Sequence, residues 1–132
     1  MPLSDIVVLA RRPDFLAAAA SGSKFVKDSL IVQRRIRTQG ERLPGVARIG
    51  FTATKKLGNA VVRNRVKRRL RAAAYALVPE LGVAGYDYVF IGRTRAHKGV
   101  FADLIRDMKH ALKRLADPSF GAVPPKPPNT DS

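Results

Sequence analysis

Arg63 to Arg71 reads RNRVKRRLR and places six cations in nine residues. The run constrains the fold because it lies inside an amphipathic helical pattern. Val62, Val66, Leu70, Ala73 and Leu77 recur at three- and four-residue steps and make one apolar stripe. Asn64, Lys67, Arg68 and Arg71 fall on the opposite side, with Arg63, Arg65 and Arg69 on the flanks. Asn59 after Gly58 supplies an N-cap, the Ala-rich end favours helix, and Pro79 is expected to stop it. The pattern therefore requires a helix with one side in a core and the other carrying charge of a single sign.

Those charges oppose the helix that carries them. Arg63/Lys67, Lys67/Arg71 and Arg65/Arg69 are like-charged pairs four apart, each costing about 0.2–0.5 kcal/mol. Lys55, Lys56 and Arg63 stand near the positive end of the helix dipole. No acid occurs between Glu41 and Glu80 to offset them. A polyanion lying along the face reverses the sign of both terms, and a helix N-terminus itself favours phosphate. A solvated face is the plain alternative; the single sign and the missing acids favour phosphate binding.

The run KKLGNAVVRNRVKRRLR closely resembles the signature helix of the bacterial ribonuclease P protein component. That family carries an RNR triplet after a K-K-x-G-x-A-V-x run, and here Arg63-Asn64-Arg65 follows Lys55 to Val62 without a gap. The resemblance implies a role for Lys55, Lys56, Arg63, Asn64, Arg65, Lys67, Arg68 and Arg71 in binding the catalytic RNA subunit. It extends over about Leu9 to Leu115 and is strongest from Arg48 to Arg71. The net charge of +15 fits, because such a chain self-repels unless a polyanion offsets it.

Ile6 to Ala10 is apolar but too short for a signal peptide, and no basic region precedes it. Arg11 to Gly22 reads as a short helix, with Pro13 in its first turn and Gly22 as its stop. Lys24 to Val26 and Ser29 to Arg37 read as strands, and Gln39 to Gly45 as a turn or hairpin loop. Val46 to Thr54 alternates: Ile49, Phe51 and Ala53 face one way; Arg48, Gly50, Thr52 and Thr54 face the other. Leu81 to Gly85 reads as a loop, Tyr86 to Gly92 as a buried strand, and Phe101 to Leu115 as an amphipathic helix. From Asp117 the chain turns Pro-rich, so residues 1–116 are expected to form one domain and 117–132 a disordered tail.

These elements make an α+β single domain of order α-β-β-β-α-β-α. The resemblance implies a two-layer sandwich shared with a ribosomal-protein domain. It also implies a left-handed β-α-β crossover, against the usual right-handed rule. It further implies a cleft for single-stranded RNA, with Arg11, Arg12, Phe15, Arg48, Thr52, Thr54 and Arg93 along it. Arg11 to Phe15 (RRPDF) resembles the family's opening motif, in which the Phe borders the cleft; Phe15 can also anchor its helix to the core. Where the family commonly has further aromatics, this chain has Ala19 and Gln33, so stacking roles do not carry over to them.

No protein active site is legible. The chain has no cysteine, and His97 and His110 lack metal-ligand spacing. Asp103 and Asp107 are four apart and could share a divalent ion, but Arg106 and Lys109 beside them favour a solvated face. No Walker, dinucleotide or nucleophile-elbow motif occurs. The resemblance implies that Mg²⁺, held mainly by the RNA subunit, performs the hydrolysis that removes the 5′ leader of precursor tRNA. The chain is then a non-catalytic subunit of an endoribonuclease. A cytoplasmic protein is expected, with RNase P RNA and precursor tRNA as partners and neither membrane nor DNA. The main alternative is a structural, ribosomal-type RNA-binding protein. A helix-turn-helix DNA binder is disfavoured because strand, not helix, precedes the basic run. A metallonuclease is disfavoured by the missing ligand cluster.

Overall fold

The computed structural model describes residues 5–20, 23–37 and 45–120. The basic helix forms as its stripe requires. After a 3-10 turn at Lys55–Leu57, α2 runs over Ala60–Leu81 and buries Val66, Leu70, Ala73, Ala74 and Val78. The Asn59 side chain accepts from the Val62 N–H at 3.0 Å, the expected N-cap. Pro79 does not end α2; the helix continues two residues to Leu81. Within the last turn the proline leaves only one carbonyl unpaired, that of exposed Tyr75, which water can satisfy.

The strands are β1 (Asp5–Val8), β2 (Ser23–Val26), β3 (Leu30–Ile36), β4 (Val46–Thr52) and β5 (Tyr86–Gly92). They form one mixed sheet of order β1-β4-β5-β3-β2. β4, α2 and β5 make the expected crossover unit, with β4 and β5 parallel and Gly50 opposite Val89. β3 runs antiparallel to both β5 and β2. Two expectations change. The Ile6 segment supplies β1, which pairs parallel with the outer edge of β4 and protects it. β3 and β4 do not pair as a hairpin, because β5 inserts between them. Residues 38–44 of the expected loop, and the Gly22 stop, lie outside the described residues.

Three helices complete the fold: α1 (Arg12–Ala20), α3 (Thr94–Lys98) and α4 (Phe101–Leu115). The main core lies between one sheet face and α2 with α4. It holds Leu30, Val32, Ala47, Ile49, Tyr88 and Phe90 against Val66, Leu70, Leu104, Met108 and Leu112. α2 approaches the sheet so closely that a Cβ at Gly92 would collide with Val66. The other sheet face carries a smaller cluster of Leu9, Ala18 and Val89 beneath α1, with Phe15 and Ile91 packed against it. Sequence reading misses α3, whose five residues are too short to show a period. Past α4 the chain continues in turns. Asp117–Phe120 form turns held by Arg34, which donates to the carbonyls of Leu115 and Asp117 at 2.8 Å and of Phe120 at 2.9 Å. Residues 121–132 of the expected tail lie outside the described residues.

Candidate nucleic-acid interface

The cations split into two populations. On α2 and the turn before it, Lys55, Lys56, Arg65, Arg68 and Arg71 are exposed, as is Asn64, while Arg63 and Lys67 are half-buried. None of these cations forms an ion pair among the described residues; the pairs found there use Arg35, Arg37, Arg48 and Arg106 instead. Arg71 lies over the Phe51 ring at 5.6 Å, which fixes its stem and leaves its charge uncompensated. Arg69 points the other way: its Nη2 donates to the Gly99 carbonyl at 2.8 Å, and its guanidinium lies 5.5 Å from the Phe101 ring centroid. The result is a rigid helical face of one sign.

The residues that the resemblance assigns to a cleft lie on the opposite sheet face. Gly50 and Thr52 project there from β4, and α1 packs alongside over β3 and β5. The Phe15 ring rests directly on the Gly50 backbone; a Cβ at residue 50 would come within 2.6 Å of it. Phe15 is only half-buried, so it both anchors α1 and keeps ring surface open. Arg11 and Arg12 are exposed at the start of α1, and the Arg11 carbonyl accepts from the Phe15 N–H at 3.4 Å. Thr52 is half-buried and Thr54 exposed. Arg93 is exposed just beyond β5, its Nη1 donating to the Lys27 carbonyl at 2.8 Å.

Arg48 departs from the cleft assignment. Its Nε and Nη2 bind the two Asp87 oxygens at 2.8 and 2.7 Å, and Nη2 lies 3.5 Å from Asp14. Arg37 reaches the same carboxylate at 2.6 Å and Arg35 at 3.4 Å. Arg48 thus ties α1 to the sheet, and its charge is answered within the protein. Asp87 escaped sequence analysis, although a lone acid inside the apolar run YDYVFIG is itself a signal, since a buried charge requires partners.

The paired aspartates of α4 also resolve. Asp107 is buried rather than solvated and accepts from the Ser29 hydroxyl at 2.8 Å. Arg106 contacts Asp103 at 3.1 Å and Asp107 at 3.5 Å. His110 Nδ1 lies 3.3 Å from the Lys27 ammonium, which carries only donors, so the ring nitrogen accepts. Among the described residues no three His, Cys, Asp or Glu side chains converge to hold a metal ion. No helix among them is long and apolar enough to cross a membrane.

The family model for ribonuclease P matches residues 3–116. The chain belongs to the ribonuclease P protein family. Its relatives include the ribonuclease P protein component of Ruegeria pomeroyi, 47% identical over 116 residues that span 87% of this chain and 90% of that one. The Caulobacter vibrioides protein component is 46% identical over 108 residues, covering 82% of this chain and 70% of its own. Among solved structures, the RNase P protein from Thermotoga maritima superposes with a TM-score of 0.66 at 25% identity, covering 80% of this chain and 94% of that one. As a ribonuclease P protein, the chain is the protein subunit of a ribonucleoprotein endoribonuclease in tRNA processing, and its partner is the RNase P RNA.

Proposed function

We propose that α2 is the surface that grips the RNase P RNA, and that the opposite sheet face guides the 5′ leader of precursor tRNA. One observation carries this reading: among the described residues the α2 cations form no ion pair, while those near the sheet centre are neutralised internally. A polyanion on α2 removes like-charge repulsion and competes with no ion pair found among the described residues. The chain's own task is to bind and orient RNA. Mg²⁺ held on phosphates of the RNA subunit supplies the hydrolytic chemistry. Such work places the protein with its RNA in the cytoplasm.

In this reading Phe15 offers its open ring to a leader base, with Thr52, Thr54 and Arg93 further along and Arg11 and Arg12 at the helix start. Stacking tolerates any base, which suits leaders of varied sequence. Phe15→Ala is expected to weaken precursor-tRNA binding by about 1–3 kcal/mol, the range for a base–aromatic stack. Binding of mature tRNA by the same holoenzyme should stay nearly constant. The measurement is affinity against leader length for both proteins, with thermal melting to confirm the fold. Wild-type affinity that does not depend on leader length would refute the leader-guiding role.

A further inference from the structure

We infer that α3 carries a second phosphate-binding patch, formed by Arg95 and Lys98, that continues the α2 face onto the same RNA subunit. The inference rests on the reading of α2 as the RNA-gripping surface and extends it to residues outside the signature helix.

Arg95 and Lys98 are both exposed, and neither forms an ion pair among the described residues. They stand three apart on one helix, so their side chains share a face and repel. No acid occurs between Asp87 and Asp103 to relieve them. With Thr94 and Gly99 they line an open hollow of about 300 Å³, room enough for a phosphodiester group. Thr94 adds a hydroxyl donor at its rim.

The position of the hollow decides which partner it meets. Arg69 binds the Gly99 carbonyl from α2, and Ala96 is buried in the main core beside Val66. α3 is therefore fixed against the α2 flank that carries Arg65 and Arg69. Passing around that flank, Arg68 and Arg65 on α2 lead to Arg95 and Lys98 on α3. The leader-guiding strip lies on the other sheet face, beneath α1. A phosphate chain lying on α2 can thus continue across α3, whereas the leader strip comes from the other sheet face and meets α3 only at its N-cap, Arg93.

The test compares three proteins, wild type, Arg68→Ala and the double variant Arg95→Ala/Lys98→Ala, each binding RNase P RNA without tRNA over a range of salt. The double variant should flatten the slope of log K against log salt by about 1.4–1.8, two phosphate contacts' worth. Its melting temperature and its dependence on leader length should match wild type. The variant Arg95→Lys/Lys98→Arg should retain the slope, because charge rather than shape sets it. A double-alanine slope equal to wild type, while Arg68→Ala flattens by about 0.7–0.9, overturns the α3 patch and leaves the α2 reading standing. A defect seen only when precursor tRNA is added overturns it too, by moving those phosphates to the tRNA. If Arg68→Ala also leaves the slope unchanged, the α2 reading itself fails.

Discussion

Asp87→Ala is expected to be the most destabilising single change at any charged position of this chain. The Asp87 side chain is fully buried and receives Arg37, itself only 3% exposed, together with Arg48 and Arg35. Removing one partner of a buried pair costs about 3–5 kcal/mol, because the opposite charge stays behind in a poor solvent. Net stabilities of small domains are about 5–15 kcal/mol, so the loss takes a large share of the whole. The Arg48 link from α1 to the sheet goes with it. Urea unfolding measures the effect as a lower midpoint. A midpoint within error of wild type would show that the three arginines find water or other acceptors without Asp87.

Salt should weaken RNA binding steeply. If Arg63, Arg65, Lys67, Arg68 and Arg71 each meet one phosphate, α2 contributes a slope of about −3.5 to −4.5 in log K against log salt. A fourfold rise in salt then lowers affinity by about 100- to 500-fold. The half-buried Arg63 and Lys67 are held close to the helix stem, while exposed Arg68 is free to follow the phosphate. Arg68→Ala should flatten the slope by about 0.7–0.9 without altering thermal melting. Titration of labelled RNase P RNA at several salt concentrations reads both quantities. A slope near zero would remove α2 from the interface.

Much of this could be read from local sequence. α4 begins and ends where its apolar period does, and β5 fills the apolar run between Gly85 and Arg93. The Asn59 cap and the two faces of β4 were equally legible, since each depends on neighbours within a few residues. Pro79 and the short α3 were missed for local reasons, but three other features were hidden because the deciding partner is distant in the chain. β1 is four residues long and is stabilised by pairing with β4, some 40 residues on. Arg48 looked like an RNA cation because its counter-ion Asp87 lies 39 positions away. Asp107 looked solvated because Ser29, 78 positions back, is its partner. The α2 face, which forms no ion pair among the described residues, was legible for the opposite reason, as the sequence around it contains no acid to pair with.

A chain that binds RNA and leaves the cutting to the RNA subunit has no cleavage activity of its own. Precursor-tRNA cleavage by the purified protein, with and without added RNase P RNA, tests that most directly. At low ionic strength with Mg²⁺, the protein alone should release no 5′ leader. The RNA subunit with the protein should cleave, and faster than the RNA without it. Leader release by the protein alone, persisting after stringent nuclease removal, would contradict the account.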